Sequence, residues 1–393
     1  MEKKYKIGVL CQYAFPVGMA PTTRIISYST GLVQNGASVE VFSYIWRSDE
    51  SSEPLEGTIR GLKYKIPCRY HSKKGKIYHV LVDKPNIYRG TIKGIKQSHN
   101  EIPFDCFLIS LDKISDYRYF LPKLARLKIP MVLIADEYPE PIRQLKSDIP
   151  YWDVIRYKFY HQFFRKRILM TKFLEDFYNR EISFKPSFIL SSVLDETRFE
   201  GITRQPVERQ YLCYMGNMMI KKDNVDNIVN AFSLIAADFP EYDVYLYGTP
   251  NAHDEQFVKN CIMQNKMENR IFIKGRLDYS AVPQTLANAT VLLASQPNTK
   301  RAEGGFPTKM GEYMMSHTPM LVTDVGEIKQ YVQDGVNTYM VAPENPEAYA
   351  KKLRYILTHP DDAKRVADNA YAYAIKHFTA KEATKSLLDF LKS

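Results

Sequence analysis

Short apolar runs alternate with amphipathic helical patterns along most of this chain. In the first half, strands are predicted at residues 6–11, 38–43, 105–110, 129–135 and 187–190. In the second half, they are predicted at residues 211–215, 244–247, 271–274, 291–295, 320–323 and 338–342. Apolar strands separated by helices are typical of parallel sheets covered on both faces. The pattern therefore predicts an α/β protein with two doubly wound sheets.

Two segments interrupt this regularity. Residues 49–103 carry charge runs and are interpreted as peripheral strands, loops and one helix. Residues 152–178 combine many aromatic side chains with arginine and lysine, and we expect one long helix there. Such a helix is either a partly buried scaffold element or an element that lies on an anionic membrane surface.

The chain is long enough for two or three domains, with 393 residues of which 45% are apolar. We expect an N-terminal Rossmann-like domain over residues 1–203, with a linker starting at residue 201. A second Rossmann-like domain is expected over residues 204–378. A terminal helix at residues 379–393 is expected to cross back to the first domain.

Charge and cysteine content narrow the classes of function. Residues 1–200 carry 32 Lys and Arg against 22 Asp and Glu, whereas residues 201–393 carry 22 of each. A basic first half could bind nucleic acid, an anionic membrane or an anionic acceptor. Nucleic acid is disfavoured, because the sequence has no nucleic-acid-binding motif. Five scattered cysteines without paired metal spacing indicate a reducing cytoplasm. No apolar run reaches eighteen residues, so neither a signal peptide nor a spanning helix is expected.

The most informative stretch is residues 302–313, Ala-Glu-Gly-Gly-Phe-Pro-Thr-Lys-Met-Gly-Glu-Tyr. Gly304 and Gly305 allow the backbone to approach a ligand, and Pro307 fits the first position of a helix over residues 307–316. The free N–H groups of a helix start can receive a phosphate or sugar oxygen. Glu303 and Glu312 flank this start. A solvated acidic loop followed by a surface glutamate is the alternative.

Polar residues also follow several predicted strands, where α/β sheets place their ligands. The loop after the first strand contains Gly18 and leads to Arg24 at a helix start, although Arg24 could equally be an exposed side chain. This loop lacks the full Gly-x-Gly-x-x-Gly spacing, which disfavours a dinucleotide cofactor. Asp136 and Glu137 follow the strand at residues 129–135, either as active-site carboxylates or as a helix cap before residues 139–141.

Several of these segments resemble, in order and spacing, the group 1 family of nucleotide-sugar glycosyltransferases. The similar segments are Tyr214-Met-Gly-Asn217 with Lys222, Gly305-Phe-Pro307, Glu312-Tyr-Met314, Pro319-Met-Leu-Val-Thr323, Val325-Gly-Glu-Ile328 and Asp334-Gly-Val-Asn337. The resemblance implies the GT-B fold, in which two Rossmann-like domains face each other across a cleft. It also implies sugar transfer with retention, in which the donor phosphate accepts the acceptor's proton and no protein nucleophile or metal takes part.

The resemblance assigns the donor diphosphate to the second domain. Lys222, six residues after Gly216, stands where the family has its phosphate lysine, and the neighbouring Lys221 could substitute. The family's companion arginine is replaced by Asn217. Arg276 or Lys309 could supply the missing charge, because a breaking glycosidic bond leaves growing charge on the diphosphate.

The resemblance also assigns the other groups of the site. Glu312 would bind the ribose hydroxyls, Thr249 and Arg276 would line the base pocket, and Glu303 or the backbone of Gly304 and Gly305 would meet the donor sugar. Asp136 and Glu137 would face the acceptor, and Gly18 and Arg24 would contact donor phosphate or acceptor. Phe306, in the same motif as Gly305, is a further donor-binding candidate.

One spacing departs from the family. The family separates its two glutamates by seven residues, which would put the first at Gly304 and leaves Glu303 displaced by one. We expect the two glycines to loop out, so that Glu303 still enters the donor pocket. Glu303, Asp136 and Glu137 are the catalytic candidates.

Together these observations predict a retaining glycosyltransferase that uses no cofactor and no metal. Its acceptor would be a glycan or a lipid-linked glycan in cell-surface polysaccharide synthesis, with the enzyme in the cytoplasm or on the inner membrane face. A nucleotide-sugar epimerase of the same fold and a donor-binding module without catalysis are the alternatives. Esterase, zinc protease and nucleoside triphosphatase motifs are missing.

Overall fold

The computed structural model describes residues 4–18, 20–45, 47–139 and 150–393. The chain forms two compact units, Met1–Leu194 with Ala380–Ser393, and Asp195–Thr379. The predicted boundary after residue 203 therefore falls nine residues inside the second unit. Within this stretch, the Arg198 guanidinium donates to Tyr279 O of the second unit at 3.0 Å.

The strands of the described residues are β1 Lys6–Cys11, β2 Ser38–Ser43, β3 Arg47–Ser48, β4 Glu56–Ile59, β5 Leu62–Lys65, β6 Arg69–Tyr70, β7 Cys106–Ser110, β8 Met131–Ala135, β9 Phe164–Leu169, β10 Ser187–Ile189, β11 Gln210–Met215, β12 Tyr242–Tyr247, β13 Ile271–Gly275, β14 Val291–Leu293, β15 Met320–Thr323 and β16 Tyr339–Val341.

The α-helices are α1 Ala20–Gln34, α2 Lys76–Tyr78, α3 Lys84–Glu101, α4 Ile114–Ala125, α5 Tyr151–His161, α6 Lys172–Phe177, α7 Ile220–Asp223, α8 Val225–Ser233, α9 Ala252–Gln264, α10 Val282–Asn288, α11 Lys300–Gly304, α12 Thr308–Met315, α13 Pro346–Thr358, α14 Pro360–His377 and α15 Ala380–Lys392. A π-helical turn, His79–Asp83, joins α2 to α3, and a second, Tyr178–Ile182, follows α6.

The first unit is built on a sheet with the order β10-β9-β8-β7-β1-β2-β5-β4. Its strands are parallel except for the β4–β5 hairpin. The central strands β1, β7 and β8 are buried throughout, as expected for a parallel sheet covered on both faces. Helix α15 packs on α1, where a Cβ on Gly31 would lie 2.0 Å from Ala380 O.

The single helix predicted over residues 152–178 is wrong. This segment forms helix α5, strand β9 and helix α6. The basic residues of β9 suggested a solvated helix face, but Arg167 is fully buried in the sheet. Its guanidinium donates to Asn179 Oδ1 at 3.1 Å and to Ser183 Oγ at 3.0 Å, and burial lowers its pKa to about 10.

The second unit is built on a wholly parallel sheet with the order β13-β12-β11-β14-β15-β16. Chain order runs outward from β11 in both directions, so the order reverses between β11 and β14. A crevice at the carboxyl ends of the strands beside such a reversal is the usual ligand site of open α/β sheets. No helix in the described part of the chain is long and apolar enough to cross a bilayer.

Candidate active site

A tyrosine from α12 joins the two strands at the reversal point of the second sheet. The Tyr313 hydroxyl accepts a hydrogen bond from Met215 N at 3.0 Å and donates to Leu293 O at 3.3 Å. These groups end β11 and β14 respectively. Helix α12 is therefore held against the carboxyl edge of the sheet.

Two glycines bring the loops after β11 and β12 into close contact. Gly248 has φ +146°, and a Cβ there would lie 1.6 Å from Gly216 O. Gly216 N in turn donates to Tyr247 O at 3.0 Å. On its other side, a Cβ on Gly216 would lie 2.8 Å from Lys309 Nζ. The ammonium group of Lys309 therefore lies directly beside the glycine that ends β11.

A buried carboxylate holds Lys309 in this position. Lys309 Nζ lies 3.1 Å from Asp223 Oδ1 on α7 and 4.4 Å from the centre of the Tyr214 ring. Burial by itself raises the pKa of Asp223, but the charges of Lys309 and Lys222 and hydrogen bonding hold it below its ordinary value. Burial also raises the pKa of Tyr214 well above its usual range. An ionised carboxylate and a neutral phenol thus surround the ammonium.

The other residues predicted for the diphosphate and base lie at the same sheet edge. Lys222 is half-buried on α7, whereas Lys221 and Asn217 are exposed. Thr249 and Arg276 are exposed at the ends of β12 and β13, which Gly248 N joins by donating to Gly275 O at 2.8 Å. Of the two residues that could replace the missing arginine, Lys309 is the one placed at Gly216.

Glu303 lies in a helix rather than in a loop. It belongs to α11, which Thr299 caps by accepting from Ala302 N at 3.3 Å, and its carboxylate lies 2.8 Å from Lys300 Nζ. Gly304 is buried as the last residue of this helix. The expected looping out of Gly304 is therefore not seen, because a helical turn accommodates the extra residue. Gly305 follows in an extended conformation.

Phe306 and Glu312 have partners that the sequence did not reveal. Phe306 is buried, with its ring centre 5.0 Å from that of Tyr331, so its side chain belongs to the core. Glu312 pairs with Arg198, whose guanidinium carbon also lies 3.6 Å from the centre of the Tyr279 ring. Residue 198 falls within the predicted first domain, residues 1–203, and no local pattern signals a partner more than 100 residues away.

In the first unit, two predicted site residues form an ion pair, in which Arg24 is buried and Asp136 is half-buried. Arg24 Nε lies 3.0 Å from Asp136 Oδ1, and the guanidinium also donates to Ser191 O at 3.2 Å. The exposed alternative for Arg24 is therefore wrong. Burial raises the pKa of Asp136, although Arg24 acts in the opposite direction.

The neighbours of this pair are less informative. Glu137 is half-buried next to it. Gly18 is closely packed, since a Cβ there would lie 2.1 Å from Thr22 Oγ1. Residues 140 and 141 of the alternative helix cap lie outside the described residues. Within the part of the chain that is described, no group of three His, Cys, Asp or Glu side chains is arranged to hold a metal ion.

Comparison with solved structures shows which fold this is. The chain is similar to sucrose-phosphate synthase from Thermosynechococcus elongatus, with a TM-score of 0.75 and 13% identity over 99% of this chain and 98% of the other. HepE from Anabaena, solved in complex with UDP and glucose, gives a TM-score of 0.71 at 13% identity over 99% of each chain. WaaG, a glycosyltransferase involved in lipopolysaccharide biosynthesis, gives a TM-score of 0.64 at 14% identity over 98% of this chain and 100% of the other.

Comparison with sequences identifies the second unit. No curated protein sequence matches the chain. The model of the family "Glycosyl transferases group 1" matches residues 195–373, which include Gly216, Asp223, Lys309 and Glu312. Nearly all of the second unit therefore matches the group 1 glycosyltransferase family, and the chain has the GT-B fold with two Rossmann-like domains.

Proposed function

We propose that this protein transfers a sugar from a nucleotide-sugar donor to a glycan or lipid-linked glycan, with retention at the anomeric carbon. The observation that carries the proposal is the Lys309 ammonium, held by Asp223 beside Gly216 within the family region. A role in cell-surface polysaccharide synthesis is supported by likeness to HepE, solved with UDP and glucose, and to WaaG, involved in lipopolysaccharide biosynthesis.

The proposed chemistry places the donor diphosphate at Gly216. As the bond between the anomeric carbon and the diphosphate oxygen breaks, negative charge grows on the leaving group. Lys309, with Lys222 on the neighbouring α7, would stabilise that charge as a fixed cation. We propose that these lysines do this without a metal ion. The diphosphate oxygen would accept the acceptor's proton as the new bond forms.

Other groups of the second unit would orient the donor. Glu312 would bind the ribose hydroxyls, and Arg198 would fix the direction of its carboxylate. Thr249 and Arg276 would border the base, and Glu303 with the backbone at Gly305 would meet the sugar. In the first unit, Asp136 and Glu137 would serve the acceptor, and Arg24 would hold Asp136 in place.

A binding experiment tests the donor site. Thermal unfolding should shift upward with one nucleoside diphosphate from a panel of UDP, GDP and ADP, and with its nucleotide-sugars. Lys222→Met should reduce the shift strongly, whereas Lys221→Met, a matched change at an exposed neighbour, should not. An equal shift in wild type and Lys222→Met would remove Lys222 from the site.

Activity assays then separate the candidate functions. Incubation of the selected donor with membrane glycan extracts should give a product that keeps the donor's anomeric configuration, as read by NMR. An isomerised donor in the absence of acceptor would instead indicate an epimerase. Donor binding without transfer or hydrolysis above background would indicate a binding module.

A further inference from the structure

Apolar side chains are exposed immediately before α3. Ile77, Val80 and Leu81 are 77%, 53% and 68% exposed. They lie in α2 and the π-helical turn, at a spacing that puts all three on one helix face. Lys74 and Lys76 are exposed beside them. Large apolar side chains that face solvent together, with cations around them, typically mark an interaction surface. We call residues 73–84 the α3 patch.

The α3 patch is held in place by a buried carboxylate. Asp83 Oδ1 lies 2.8 Å from His71 Nδ1, and Asp83 Oδ2 lies 2.7 Å from His79 Nδ1. These contacts join the loop after β6 to the π-helical turn. The apolar face therefore projects from a fixed turn.

A second surface of the same composition lies at the start of α5. Tyr151 and Trp152 are 73% and 69% exposed, and Ile155 is exposed one turn later. The adjacent Arg156 and Lys158 are exposed as well. We call residues 151–158 the α5 patch.

Topology puts both patches at the same edge of the first unit. Helices α3 and α5 precede the parallel strands β7 and β9, and a helix that connects parallel strands begins at the carboxyl edge of the sheet. The two helices flank α4 on one side of the sheet. The ring centre of Tyr88 on α3 lies 4.9 Å from that of Tyr119 on α4, and the ring centre of Tyr157 on α5 lies 6.4 Å from that of Tyr117 on α4. Because the axes of packed helices lie about 10 Å apart and α4 lies between α3 and α5, the two patches are separated by roughly 20 Å.

We propose that the α3 patch and the α5 patch together bind the surface of an anionic bilayer. Exposed apolar side chains would enter the headgroup region, and lysine and arginine would meet anionic headgroups. Glu50 lies 3.7 Å from Lys73, and Asp153 lies 3.1 Å from Arg156, so Lys74, Lys76 and Lys158 supply the positive excess. Cations around the apolar side chains favour an anionic lipid surface over a neutral one. This proposal deepens the acceptor side of the proposed function, on which it rests. It differs from the membrane alternative of the sequence analysis, which placed the contact on one long helix over residues 152–178.

Vesicle flotation tests the proposal without any need for transfer activity. The full chain should float with vesicles of phosphatidylcholine and phosphatidylglycerol, and less with phosphatidylcholine alone or at high salt. Ile77→Ser with Leu81→Ser, and separately Trp152→Ser, should each weaken binding by about tenfold or more. Phe184→Ser is the matched apolar control, because Phe184 is 78% exposed and precedes β10 at the opposite edge.

Charge variants complete the test. Lys74→Gln with Lys76→Gln should weaken binding and reduce its salt dependence, whereas Lys381→Gln with Lys385→Gln on α15 should leave both unchanged. Thermal unfolding of each variant checks that the fold is intact. Absence of wild-type flotation would overturn the proposal, and so would equal binding by the patch variants and their controls. Because donor binding is measured separately, failure here leaves the proposed transferase function in place.

Discussion

At the scale of single residues, the contact between Asp223 and Lys309 is the most specific feature of the proposed donor site. A lysine side chain has many rotamers, and the buried carboxylate fixes one of them with Nζ beside Gly216. Such preorganisation is what stabilises a charge that develops only in the transition state. In the proposed mechanism, Asp223 would therefore act through Lys309, as a positioning residue.

Asp223→Asn should lower transfer more than it lowers donor affinity. The amide keeps the shape of the carboxyl group but removes the charge that holds Lys309. We expect kcat to fall by about 10²-fold, with a smaller change in the Kd for the nucleoside diphosphate. Lys309→Met should have at least the same effect.

Asp238→Asn is the matched control, because it breaks the pair between Asp238 and Arg354 elsewhere in the second unit. If Asp223→Asn retained wild-type kcat while Lys309→Met did not, Lys309 would not need its carboxylate. Calorimetric binding and initial rates make this comparison.

Glu303→Gln separates a catalytic role from a surface ion pair. Glu303 and Lys300 form an (i, i+3) pair on α11, and exposed pairs of this kind contribute at most about 1 kcal/mol. If Glu303 contacts the donor sugar, Glu303→Gln should reduce the transfer rate with little change in Tm. Lys300→Gln breaks the same ion pair but keeps the carboxylate, so it should leave the rate nearly unchanged. Equal rates in both variants would remove Glu303 from the site.

At the scale of elements, the end of α5 carries a histidine that cannot easily accept a proton. His161 is fully buried and stacks on Tyr178 with ring centres 5.2 Å apart. Neither ring nitrogen has a hydrogen-bond partner among the described residues. Burial, with smaller contributions from Arg167 and Lys185, lowers the pKa of His161 to about 3. An unfolded histidine has a pKa of about 6.5.

The sign of the resulting pH dependence follows from proton uptake. Between pH 6.5 and 3 the unfolded chain binds a proton that the folded chain does not, so acidification favours unfolding. From pH 7 to pH 5 this histidine should remove about 2 kcal/mol of stability. His161→Phe keeps an aromatic ring at this position. Between pH 7 and pH 5, its free energy of unfolding should fall by about 2 kcal/mol less than that of the wild type, as measured by denaturant unfolding. His253→Phe, at an exposed position, should match the wild type.

The success of the sequence-based predictions also differs between elements. Strand β8 is wholly apolar, strand β1 is apolar after Lys6, and both are buried, so their pattern identified them directly. Strand β9 was missed because it contains Arg167, a basic residue that is buried and bonded to Asn179 and Ser183, so a buried strand has the composition of a solvated helix. Among the candidate site residues, Gly216 and Lys309 were named from local motifs, and the structure places them side by side. The Asp223 and Arg198 contacts were not, because pairing between distant segments leaves no periodic signal.

At the scale of the whole chain, the first unit is built from two distant segments. Helix α15 joins it after the chain has completed the second unit. Leu387, Leu388 and Leu391 of this helix belong to the buried core that includes Ile25 and Leu32 of α1. Tyr5 donates to Leu391 O at 3.0 Å, and Lys166 on β9 donates to Ser393 Oγ at 3.0 Å. The last fourteen residues thus belong to the first unit and not to the second.

Deleting residues 380–393 should therefore destabilise the first unit selectively. The deletion exposes the apolar face of α1 and leaves part of the first core without its packing partners, and losing even one buried leucine side chain costs about 2–5 kcal/mol. Hydrogen exchange should show lost protection in β1 and β2, while β11 and β14 keep theirs. Leu387→Ala with Leu388→Ala should give a weaker form of the same pattern, and Lys385→Ala on the exposed face of α15 should not. Equal loss of protection in both units would show that the chain unfolds as one cooperative body, and unchanged protection in β1 would show that α15 contributes little to the first core.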